Sequence, residues 1–189
     1  MPDPERAEVA VLTCLAAFLT LLTLAAVEDV RARRIPNWLT GGLVALYPIF
    51  VLASPDPIAW PAALALAGAV FFVGWLLFAR HMVGGGDVKL ITAVSLWAGV
   101  QHALAFAIVT SLAGGVLALG VLLFERWRAL ITAPLAGLGV GGAGRVPVAA
   151  AGELPDAPPA PANPARTTLP YGVAIAAGGV FVAAQLMKF

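Results

Sequence analysis

Two aspartates stand out among the few ionisable side chains bordering apolar segments. Asp29 lies in EDVRARRIPNWLT (Glu28–Thr40) and Asp87 in GGGDVKL (Gly84–Leu90). A charge inside a membrane segment costs about 2.5–3.5 kcal/mol at the bilayer centre on insertion scales, so each one calls for a functional explanation. Two neighbouring carboxyl groups cannot both ionise readily, and such a pair shares a proton. The ionised member can take a proton from a water attacking a peptide carbonyl. The protonated member hydrogen-bonds the carbonyl oxygen and later helps protonate the leaving amine. That chemistry needs neither metal nor other cofactor. Around Asp87, the glycines Gly84 and Gly86 admit dihedrals closed to other residues and let a substrate backbone come close. Lys89 follows at a distance from which it can orient or acidify the pair.

Plainer readings stay open beside this one. Asp favours helix N-caps, which would account for Asp87. Asp29 can be a solvated acid paired with Arg31 or Arg33, and Lys89 a topology anchor only. Glu28 is a rival carboxylate, although adjacent helical positions face different sides. Asn37, after Pro36, reads as the N-cap of a second helix. His81 and His102 lie at segment boundaries without ligand partners at suitable spacing, so no metal site is expected. The glycine run is not a phosphate loop, since G-x-x-x-x-G-K-[ST] is absent.

The elements that must carry these residues follow from composition. Hydrophobic residues make up 61% of the 189 and charged residues 11%, with mean hydropathy +0.94. Soluble domains carry about 25% charged residues, so the chain reads as an all-α, polytopic membrane protein forming one domain over residues 1–189, in contact with membrane lipids. A net charge of +1 offers nothing to nucleic acid. Cys14 is the only cysteine, which excludes an internal disulfide. The acidic PDPERAE before the first apolar run implies a retained helix rather than a cleaved signal peptide.

Apolar runs occur at 9–27, 38–53, 58–79, 88–100, 103–124 and 169–187. A bilayer core about 30 Å thick needs about 20 helical residues. One helix over 88–124 would be roughly 55 Å long at about 1.5 Å per residue, so a turn is expected near Gly99–His102. About six crossings result. With DVRARR on the cytoplasmic side, nine of the eleven Lys/Arg fall there, and both termini lie outside by the positive-inside rule. Two crossings separate Asp29 from Asp87, so both reach the same face. The run at 88–100 is short, which would sink Asp87 below the cytoplasmic surface. Irregular backbone at Gly84–Gly86 is tolerable at that depth only where protein or a water-filled cavity surrounds it. Residues 131–165, rich in Gly, Ala and Pro and ending in APPAPANPA, read as an extended, mobile cytoplasmic linker.

Taken together, EDVRARRIPNWLT, GGGDVKL and LPYGVAIAAG (Leu169–Gly178) resemble the motifs of the type IV prepilin peptidases, membrane aspartic proteases with a G-x-G-D-x-K signature. The resemblance covers nearly the whole membrane core. It implies that Asp29 and Asp87 are the catalytic aspartates, with Gly84, Gly86 and Lys89 supporting them. It further implies removal of a basic leader after a glycine from pilin or pseudopilin precursors, at the cytoplasmic face of the inner membrane. Larger members also methylate the new N-terminus through a region with paired C-x-x-C motifs. One cysteine cannot supply these, so a peptidase without N-methyltransferase activity is expected, similar to the enzymes of tight-adherence (Flp) pilus systems. Preflagellin peptidases and other G-x-G-D intramembrane proteases are the nearest alternatives. From another class, a proton-coupled carrier would use the same two acids.

Overall fold

Apolar runs of this length give the backbone no partner but itself, which makes helices the favoured solution within a membrane. The computed structural model of the chain describes residues 4–136 and 171–187, with side chains placed over 5–128 and 171–187. Helices α1 (Pro4–Ala32), α2 (Asn37–Ala53), α3 (Trp60–Ala79), α4 (Gly85–Ala136) and α5 (Tyr171–Leu186) make up the architecture, and no strand occurs among the described residues. Three stretches are long and apolar enough to cross a membrane: Glu5–Ala32, Trp60–Ala79 and Gly85–Arg128. Asn37–Ala53 and Tyr171–Leu186 are shorter apolar helices.

The break expected between the fourth and fifth apolar runs falls at Gly99. There φ is 57° and ψ −176°, a conformation open essentially to glycine alone. It divides α4 into helical segments 85–98 and 100–136. Other boundaries differ from the sequence reading. Helix α1 runs past Val27 to Ala32, so Asp29 lies inside its last turn instead of following it. Residues 131–136, assigned by composition to the linker, continue α4; the remainder of that segment lies outside the described residues.

Two units divide the chain, Met1–Leu117 with Pro170–Phe189, and Ala118–Leu169. In the first, α2 and α5 pack on α1, and the 85–98 segment closes the core. Trp97 is its hub. Its ring centroid lies 4.5 Å from Phe18 of α1, and 5.0 Å and 5.8 Å from Phe50 and Tyr47 of α2. A buried indole N–H needs an acceptor, and Nε1 of Trp97 donates to the Leu43 carbonyl at 2.9 Å. Helix α5 enters the bundle on its small residues, as membrane helices do where packing rather than water expulsion drives association. Gly179 lies against Leu22 and Val94, and Gly178 against Thr110 and Phe106. A cavity of about 400 Å³ opens where the α2–α3 loop meets the Gly99 break and the end of α5. It borders Val11, roughly 27 Å along α1 from Asp29 at about 1.5 Å per residue, and neither aspartate lines it.

Candidate active site

The chain reverses sharply after α1, and residue types explain the turn. Arg33 adopts a left-handed φ of 53°, and its N–H donates to the Asp29 carbonyl at 3.0 Å. Ile35 precedes a proline and is thereby biased toward extended backbone. Pro36 then occupies the N-cap of α2, with φ −62° and ψ 140°. This corrects the reading of Asn37 as the cap: Asn37 is the first helical residue, and its side chain is used elsewhere.

Asp29 is 7% exposed. Its Oδ2 accepts a 2.7 Å hydrogen bond from the backbone N–H of Gly172 in the first turn of α5. Burying a carboxyl without a partner is costly; this amide, one of the donors that a helix start leaves without an intrahelical acceptor, supplies that partner. Glu28 is half-buried and faces another side of the helix.

Asp87 comes to the same end from α4. Helix α3 ends in a Schellman arrangement: Met82 N–H donates to the Leu77 carbonyl at 3.0 Å, His81 N–H to Phe78 at 2.8 Å, and His81 takes a left-handed φ of 56°. Helix α4 begins at Gly85, making Asp87 its third residue rather than its cap. A carboxylate in a first turn is favoured by the partial positive charge of the helix start. The Asp87 carboxyl is half-buried and folds back toward Gly84, where an added Cβ would lie 3.0 Å from Oδ2.

The glycines work differently from the expectation. Gly99 is the only described glycine with positive φ, so Gly84–Gly86 use no dihedrals reserved for glycine. Their value is the missing side chain. A Cβ on Gly85 would come 3.2 Å from the Phe78 ring, and one on Gly86 3.3 Å from Ile35 Cβ. The start of α4 is thereby seated on the end of α3 and on the α1–α2 connection.

Lys89 is exposed, and its Nζ donates to Asn37 Oδ1 at 2.9 Å. That bond ties the first turn of α4 to the first turn of α2. The hydrogen-bond partner of Lys89 is thus Asn37 rather than either aspartate. Asn37 and Gly172 are the participants that reasoning from residue types missed. For Gly172 the sequence signal is the LPYG stretch, whose residue types by themselves name no role. Among the described residues no group of three or more His, Cys, Asp or Glu side chains gathers as a metal site. The chemistry on offer is that of the two carboxyls, one held by a backbone donor and the other at the edge of a packed glycine turn.

The family model of the type IV leader peptidase family matches residues 16–119, a span that contains both aspartates. A curated relative, the prepilin leader peptidase/N-methyltransferase of Xanthomonas campestris pv. campestris, is 32% identical over 109 residues. That alignment takes in 53% of this chain and 37% of the relative, so the chain covers well under half of the relative's length. No solved structure matches.

Proposed function

The chain belongs to the type IV leader peptidase family, and on that premise we propose that it is a prepilin leader peptidase working through Asp29 and Asp87. The observation that carries the reading is the meeting of a buried α1 carboxyl and a half-buried α4 carboxyl at one end of the bundle, where the start of α4 seats on Ile35 of the α1–α2 connection. One carboxylate takes a proton from water as the oxygen adds to the scissile carbonyl carbon, and its protonated partner donates to the carbonyl oxygen. On collapse the C–N bond breaks, the amine leaves with the proton taken from water, and the second aspartate recovers its own. Gly84 leaves room for the Asp87 carboxyl to fold back, and Gly86 lets the start of α4 seat on Ile35. Lys89, through Asn37, keeps the α4 start in register with α2.

The substrate is the precursor of an Flp-like pilin or pseudopilin, cut after a leader glycine. Six crossings with both termini outside present the pair to the cytoplasm, where a basic leader resides. The activity is peptide cleavage without methylation of the new N-terminus.

The test is co-expression with a candidate prepilin. Asp29→Asn and Asp87→Asn should each reduce leader removal by at least about 10²-fold, the lower end of what a positioned acid or base contributes, with insertion unchanged. Cleavage that persists in both variants would falsify the aspartate mechanism, and proton-coupled transport without cleavage would favour a carrier.

A further inference from the structure

The LPYG stretch meets the site through a single backbone atom. Gly172 is buried, and its N–H points at Asp29 Oδ2 from 2.7 Å across 143 residues of sequence. A Cβ on Gly172 would lie 2.7 Å from Oδ2 and 2.9 Å from both Cβ and Cγ of Asp29. Glycine alone lets the carboxyl approach this amide. Tyr171 fixes the other side of the helix start, since a Cβ on Gly114 of α4 would come 2.8 Å from its ring. Two independent close approaches therefore hold the first turn of α5 between α1 and the second segment of α4.

We infer that Gly172 is a positioning residue for Asp29, and that the start of α5 forms the third wall of the active site. The inference rests on the function proposed above. With Oδ2 engaged by the amide, one carboxyl oxygen is anchored to the main chain and Oδ1 is the oxygen left for the reaction. The α1 carboxyl is thus held by the main chain, whereas among the described residues no protein hydrogen bond holds the Asp87 carboxyl. Restoring ordinary contact distance after Gly172→Ala requires Asp29 to move by about 0.6–0.8 Å, from the usual separation of non-bonded heavy atoms of about 3.5 Å. A displacement near 1 Å at a reacting group costs on the order of 10²-fold in rate.

The experiment uses the full chain reconstituted in lipid bilayers, with a prepilin substrate and two readouts. Gly172→Ala is expected to lower kcat by about 30- to 100-fold per folded molecule with KM within about threefold. Gly41→Ala, whose Cβ meets nothing within 4 Å, should leave both unchanged. The second readout is amide hydrogen exchange at Gly172, which needs no activity. Asp29→Asn keeps an acceptor oxygen and should preserve slow exchange, whereas Asp29→Leu should accelerate it at least tenfold. Equal exchange in the two Asp29 variants, or a Gly172→Ala activity that falls only with the folded fraction, overturns the inference. If the wild type leaves prepilin uncut, the proposed function fails, while the exchange comparison still decides whether Gly172 holds Asp29.

Discussion

Replacing Trp97 by phenylalanine separates the forces that hold the bundle from those that hold the site. Phenylalanine keeps a ring against Phe18 and Phe50, whose centroids lie 4.5 Å and 5.0 Å from the native indole. It loses the N–H that reaches the Leu43 carbonyl at 2.9 Å. Interhelical hydrogen bonds in membranes average about 0.6 kcal/mol and reach about 1.7 kcal/mol. The missing part of the indole leaves roughly 40 Å³ in a site where Trp97 is 2% exposed, worth about 1 kcal/mol at about 24 cal/mol per Å³. The two contributions total about 2 kcal/mol. For a chain of this size that is a fall in Tm of about 4–8 °C, readable by thermal unfolding in detergent micelles. Trp97→Ala should cost about 3–5 kcal/mol. Because Trp97 lies roughly 15 Å along α4 from Asp87 at about 1.5 Å per residue, cleavage per folded molecule should be unchanged in the phenylalanine variant. A Tm within about 1 °C of wild type would refute the accounting of hydrogen bond and volume. Cleavage lost beyond the unfolded fraction would refute the independence of core and site.

Asn37 and Lys89 should show a coupling of about 1 kcal/mol in a double-mutant cycle of Asn37→Ala and Lys89→Met, read by unfolding, since the bond is charged but exposed. The same substitutions should depress leader cleavage together rather than additively. His81→Gly, at the left-handed C′ position, should be neutral to stabilising by about 1 kcal/mol, because glycine escapes the left-handed strain of about 1–2 kcal/mol at some cost in chain entropy. A fall in Tm would contradict the Schellman assignment. Gly179→Ala places a Cβ 2.5 Å from Leu22 Cδ2 in a core where Leu22 is 1% exposed. It should destabilise by about 1–3 kcal/mol, whereas Gly41→Ala should stabilise α2 by up to about 1 kcal/mol on helix propensity.

Helix placement was legible in the sequence wherever an apolar run was long, because a chain in a membrane has one economical way to satisfy its backbone. Length also exposed the break near Gly99: an unbroken helix there would outrun the bilayer. Boundaries were less legible. Asp29 was expected just beyond α1 and lies within its last turn, since Arg33 and Pro36 stop the helix rather than the end of hydrophobicity at Val27. The glycine turn was read for its freedom of dihedral, while the structure uses its lack of side chains against Phe78 and Ile35. A sequence lists glycines without saying which of the two properties is needed.

Counting crossings assigned Asp29 and Asp87 to one end of the bundle, and residue type named the chemistry that two carboxyls support. Both conclusions depend only on chain order and on the length of a helix. Which face of each helix turns inward depends on its rotation about its own axis, set by every side chain packed along it. That rotation buries Asp29 and leaves Glu28 half-exposed, aims Lys89 at Asn37, and brings the amide of Gly172 within 2.7 Å of a carboxylate 143 residues away. Sequence alone thus determined the helices and the end at which the acids gather, and only tertiary packing decided what holds each acid in place.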